Sequence, residues 1–248
     1  MAGTPPSIGF DRRKFLGRVA AATALLPAVG DAALAQQASG HSAHAGHDQG
    51  GNRVVGEVDH AANGFDPHAM LWDFDAGTVS TRSDGRKLRE WTITAIDHEF
   101  EVAPGIKFAG WSYNGRIPGP TLRCTEGELL RIRFINSSSH PHSMHFHSIH
   151  PARMDGVSGP SLVAPGGEFT YELDAKPFGC HLYHCHAIPL KRHIHKGLYG
   201  VFIVDPDPAR HPESSLQAQS RLMGSPENAK WQEMVMVMNA FDTNFDDE

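Results

Sequence analysis

The chain has 248 residues, 40% hydrophobic and 20% charged, an ordinary balance for a globular protein and enough for one large domain or two small ones. A formal net charge of −6 gives no reason to expect nucleic-acid binding. The compositional outlier is histidine, present 17 times, and it points to metal.

Residues 1–35 read as an export signal. Asp11 to Gly17 contains the pair Arg12-Arg13, Val19 to Val29 is a short Ala-rich apolar run, and Ala33-Leu34-Ala35 fits a cleavage site. The arginine pair followed by Phe15-Leu16 matches a twin-arginine signal, so a periplasmic or secreted bacterial location is expected. The apolar run is too short to span a bilayer, and no membrane segment is expected after signal removal. Residues 36–53 are low in complexity, with His41, His44 and His47 in a Gly/Ala/Ser background. Such a composition cannot build a core and predicts disorder. It reads equally as a weak metal-capture tail and as a plain linker. Residues 54–84 show scattered apolar positions without a period and read as an extended arm packing on the domain, with His60 and His68 as surface residues.

Strands begin at Lys87. Trp91 to Ile96 alternates, Glu99 to Val102 ends at the turn Pro104-Gly105, and Phe108 to Tyr113 precedes Asn114-Gly115. Leu122 to Thr125, Leu130 to Phe134, Glu168 to Leu173 and Tyr199 to Val204 follow, each bounded by Gly, Pro, Asn or Ser. Short strands at regular spacing predict an all-β, antiparallel Greek-key sandwich or barrel, and no stretch has a convincing helical period. Pro206 leads into a polar linker over residues 207–230, and Trp231 to Phe241 reads as a further strong strand.

Two histidine-rich stretches interrupt this pattern. In an extended segment side chains alternate faces, so His184 and His186 point one way and Cys185 the other. In His140 to His147, His145 and His147 share a face, and His142 lies an odd step from both. Laid side by side, one face gathers His142 and Cys185 and the other gathers His145, His147, His184 and His186. His193 follows, with Leu198 five residues later, and His195 competes with His193. Two His and one Cys thiolate with a weak or missing axial ligand make a blue-copper site, and imidazoles suit further copper ions. A buried Cys or lone core His is often merely structural, but one Cys and five His in this arrangement are not readily explained that way. His140, His150 and His181 read as surface or supporting groups.

These residues carry a resemblance. His184-Cys185-His186 followed by His193 and Gly197 to Gly200 is similar to the last copper motif of multicopper oxidases, and His142, His145 and His147 to their preceding motif. Arg116 to Glu128 resembles the strand and turn that open their cupredoxin domains. The resemblance covers residues 85–206, about half the chain. Related copper nitrite reductases have Asp where His145 stands and a non-ligand where His186 stands.

The resemblance implies a cupredoxin fold. It also implies type 1 copper on His142, Cys185 and His193, with Leu198 at the axial position. It assigns His145 to type 2 copper and His147, His184 and His186 to type 3, a split that can exchange. Electrons would pass from a small reducing substrate, a phenol or metal ion, through the type 1 site to a cluster that reduces dioxygen to water. Cys185, His184 and His186 would be the route. The cluster needs more imidazoles than this domain offers, which implies a neighbouring domain or subunit and a homotrimer. Residues 231–248 would then open a second, truncated cupredoxin domain, the alternative being a strand that folds back on the first. A copper nitrite reductase and a non-catalytic blue-copper or copper-tolerance protein remain alternatives. Export makes a Cys124–Cys180 disulfide chemically possible, with sequence alone unable to place the two in range.

Overall fold

Alternation makes each long strand one-sided. In β6 (Leu129–Asn136), Leu130, Ile132, Phe134 and Asn136 are buried, and in β8 (Glu168–Asp174) Tyr171 and Leu173 are. The structure, a computed structural model, describes residues 56–214 and 233–243. The signal at 1–35, the histidine-rich stretch 36–53 and most of the linker over 207–230 lie outside the described residues.

The other strands are β1 (Phe74–Asp75), β2 (Thr78–Thr81), β3 (Lys87–Ala103), β4 (Ile106–Tyr113), β5 (Thr121–Thr125), β7 (His145–Phe146), β9 (Gly179–His184) and β10 (Tyr199–Asp205). One sheet has the order β1-β5-β10-β9-β7; the other runs β2-β3-β6-β8, with β4 pairing the far end of β3. The apolar faces meet in one core. Trp91 and Phe202 lie edge to face at 6.4 Å, and Phe146 meets Tyr171 at 5.9 Å across the sandwich. This is a cupredoxin-type β-sandwich.

Several expectations need correction. The sheets are mixed rather than antiparallel: β1 and β10 run parallel to β5, and β3 runs parallel to β6. Strands that pair this way are distant in the chain and joined through the opposite sheet, so no hairpin signal marks them. The two segments expected at 91–96 and 99–102 are one strand of 17 residues. The arm also enters the sheets: β1 pairs with β5 and β2 with β3. Short helices occur as well, among them α1 (His60–Asn63) and α2 (Leu190–His195), too short to show a period. The strand expected from Trp231 is not formed in residues 233–243. That segment donates a backbone hydrogen bond, Val235 N to Leu71 O at 2.8 Å, but it joins neither sheet. No helix among the described residues is long and apolar enough to cross a membrane.

Candidate metal centre

β9 delivers His184 in register with His145 of β7. The chain leaves the strand at Cys185, yet the backbone stays extended because Cys185 N donates to Leu198 O at 3.0 Å. The alternation therefore persists. Cys185 is fully buried, while His184 and His186 remain partly exposed.

The inner face brings together His142, Cys185 and His193. Cys185 Sγ lies 3.3 Å from His193 Nδ1 and 3.8 Å from His142 Nδ1, and the two Nδ1 atoms are 3.0 Å apart. His142 is placed differently from the parity expectation. It is not on β7 but in an isolated bridge to Val163, with hydrogen bonds of 3.0 and 2.8 Å. The buried Asn136 fixes that loop: its Nδ2 donates to His140 O and Val163 O, both at 2.8 Å. His193 sits on α2, although no stretch of the sequence shows a convincing helical period. The helix takes up the long Cys185–His193 connection, and Leu198 N donates to His193 O at 3.2 Å to close it. Leu198 is fully buried. His195, the competitor, points elsewhere, toward Phe108 and Asp242.

Sequence reasoning missed the groups that hold this triangle. Trp111, on β4, packs its ring 4.8 Å from both His142 and His193 and 4.7 Å from His140. Ser143 N donates to Cys185 Sγ at 3.4 Å, and Ser143 Oγ accepts from His186 N at 3.0 Å. Tyr113 donates to Ser143 O at 2.6 Å, and Tyr171 Oη accepts from Met144 N at 2.9 Å, pinning the same segment. Burial, helped by neighbouring His193, pushes His142 down to about 3, so its ring is neutral. Burial also pushes the Cys185 thiol up, partly offset by the backbone N–H groups of Ala187 and Ser143.

The outer face carries the other imidazoles. Ligand atoms of His145, His147 and His184 lie within 4.8 Å of one another, and His147 Nε2 and His184 Nε2 are 2.9 Å apart. His186 lies beside this trio, its ring 4.3 Å from that of His145. A second missed group, Asp155, binds them from behind. Its Oδ1 is 3.0 Å from His145 Nδ1, 3.4 Å from His186 Nδ1 and 3.6 Å from His150 Nε2. His150 thus belongs to the cluster's surroundings rather than to the general surface. The following Gly156 has φ +86, and a Cβ there would lie 2.8 Å from Ser143 Oγ, the atom that holds His186 N. Burial pushes His145 down to about 4 and lowers His184.

The donors fit copper. An ion bound at about 2.0 Å to imidazole and 2.3 Å to thiolate would set the N–N edge of the triangle at about 3.5 Å and the N–S edges at about 3.7 Å, against 3.0 Å, 3.3 Å and 3.8 Å here. Neutral imidazoles and a thiol that a cation would deprotonate are the ligands copper prefers. The metal-facing atom of His142 is Nδ1, since its Nε2 is buried on the other side of the ring without a hydrogen-bond partner among the described residues. The thiols of Cys124 and Cys180 are free, so the bridge considered from sequence is not formed. The two residues flank β10 on opposite sides, roughly 9–10 Å apart by strand spacing, beyond disulfide reach.

Fold and donor sets together define a cupredoxin-type domain equipped to bind copper. Residues 97–209 match the family model described as multicopper oxidase. A solved multicopper oxidase structure is 53% identical with a TM-score of 0.65, covering 77% of this chain and 62% of its own. Copper resistance protein A of Escherichia coli is 37% identical over 58% of this chain and 23% of its own length. A copper-containing nitrite reductase of Neisseria meningitidis is 29% identical over 46% of this chain and 30% of its own. The chain thus spans under a third of these two curated relatives.

Proposed function

We propose that the complete protein is a copper-dependent oxidoreductase, a laccase-like multicopper oxidase. It takes electrons from a small reducing substrate and reduces dioxygen to water. One backbone crossing supports this above all: Cys185 enters a buried triangle with His142 and His193, while His184 and His186 reach the imidazole cluster outside. His142, Cys185 and His193 would hold type 1 copper, with the buried Leu198, hydrogen-bonded to the backbone of Cys185 and His193, beside them as a non-ligating neighbour. His145 serves type 2 copper, and His147, His184 and His186 serve type 3.

Copper bound at these places supplies one-electron transfer inside and oxygen chemistry outside. The chain supplies position. Trp111 covers two imidazoles against water, Ser143 ties the two faces through Cys185 and His186, and Asp155 holds the back of His145 and His186. The four outer imidazoles are completed by a neighbouring domain or subunit, which we assign to a homotrimer. Residues 231–248 open that second domain. Twin-arginine export places the protein in the periplasm or outside the cell.

A copper nitrite reductase is the second reading, because His147 and His184, their Nε2 atoms 2.9 Å apart, could hold a lone type 2 copper. Copper-loaded protein given a phenol should consume oxygen and leave nitrite untouched. Nitrite reduction without oxygen uptake would reverse the choice.

A further inference from the structure

A cavity of about 280 Å³ lies between the arm, the end of β3 and the 233–243 segment, and none of the candidate copper ligands lines it. Its walls are largely apolar: Phe65, Met70 and Leu71 from the arm, Phe100 and Ile117 from the sandwich, and Phe241. Two polar atoms of its lining residues have nothing to bond. Tyr199 Oη and Arg116 Nε are both buried without a hydrogen-bond partner among the described residues. Burial pushes the Tyr199 phenol up, so it stays protonated and able to donate. Arg116 is held from another side, where its Nη1 donates to Asp73 Oδ2 at 2.6 Å. That guanidinium is 15% exposed and the carboxylate 60%, so water screens the negative charge more than the positive one. Glu101 also reaches the cavity, but its carboxylate already accepts from Gly105 N at 2.6 Å and Asp59 N at 3.4 Å.

A buried donor without an acceptor is destabilising, and native structures rarely leave one so. Two such donors at one apolar cavity suit a molecule with an acceptor at one end and a hydrocarbon tail at the other. The enclosed positive charge favours a carboxylate over a neutral carbonyl. At roughly 30 Å³ per heavy atom, the share of one water in the liquid, the cavity holds about nine heavy atoms. We propose that it binds a short aliphatic monocarboxylate of about six carbons, with Arg116 Nε and Tyr199 Oη donating to the carboxylate. The occupant lies between the arm and the 233–243 segment and holds both against the sandwich. Nothing in this rests on the copper reading.

The test is a titration of the full chain, copper-loaded and kept reduced so that it is diamagnetic. The probes are hexanoate and hexylammonium, which share an aliphatic tail and differ in the head. Nitrogen-15 resonance follows the Arg116 Nε–H signal, assigned by its loss in Arg116→Lys, and calorimetry gives the affinity. Hexanoate should shift that signal saturably, and hexylammonium should leave it in place. Tyr199→Phe removes one donor to a charged group and should weaken hexanoate about tenfold, with the rest of its spectrum unchanged. Leu71→Trp fills the cavity and should abolish binding. A signal that hexanoate leaves unmoved would mean that the donors serve trapped water only, and would overturn the proposal. So would hexylammonium binding as tightly as hexanoate, or equal affinity for hexanoate in Tyr199→Phe and the unaltered protein.

Discussion

Replacing Asp155 by Asn separates the two metal faces. The change keeps the side chain's volume and one oxygen but removes the charge that lies 3.0 Å from His145 Nδ1 and 3.4 Å from His186 Nδ1. Groups that orient metal-binding imidazoles typically contribute roughly 10–100-fold in metal affinity. Two features place this one at the lower end. The Asp155 side chain is 33% exposed and therefore screened. Its backbone carbonyl, 3.2 Å from both His145 Nδ1 and His186 Nδ1, survives the substitution. The expected loss is about tenfold, or about 1.4 kcal/mol, at the outer imidazoles alone. Equilibrium dialysis over a series of free copper concentrations, with blue absorption followed in parallel, gives both affinities. Non-blue copper should move to about tenfold higher free copper while blue copper stays where it was. Equal weakening of both, or no change in either, would refute the claim that Asp155 serves only the outer face.

Two further outcomes follow from burial and packing. In copper-free protein, His142 stays neutral down to about 3, whereas an unfolded His takes up a proton near its ordinary value of 6.5. Between those values the unfolded state binds more protons, so stability falls as pH drops below 6.5. By pH 5 the loss is about 2 kcal/mol. Urea denaturation of the copper-free protein at pH 7 and pH 5 should show it, and His142→Asn should remove about that share, the rest coming from His145, held down to about 4, and from His184; an unchanged slope in that variant would contradict the assignment. In the core, a Cβ on Gly200 would lie 2.4 Å from the Tyr183 ring, which its hydrogen bond to Pro120 O at 2.7 Å keeps in place. Gly200→Ala should cost about 3 kcal/mol of unfolding free energy in urea. A loss too small to resolve would show that the ring can yield.

The sandwich was readable where alternation is strong, as in β6 and β8, because a half-buried strand writes its period into the chain. Its parallel pairings were not, since partners such as β3 and β6 meet only through the tertiary fold. The opposite orientations of Cys185 and its flanking histidines were legible because extended backbone outlasts β9. His142 reached Cys185 by another route, the bridge to Val163, which no period announces. The helix under His193 spans six residues, too few to leave a pattern. Trp111, Ser143 and Asp155 were invisible for a further reason. Each acts on residues brought near by folding, and an isolated Asp or Trp carries no spacing signal of its own.

The most direct measurement is a count of copper per chain with optical and electron spin resonance spectra, on the unaltered protein and on Cys185→Ser. The unaltered protein should show an intense blue thiolate-to-copper band together with non-blue copper, and the variant should lose the blue band while keeping the non-blue copper. A band that survives the substitution, or copper lost from both faces at once, would contradict the assignment of Cys185 and its flanking histidines to two separate copper environments.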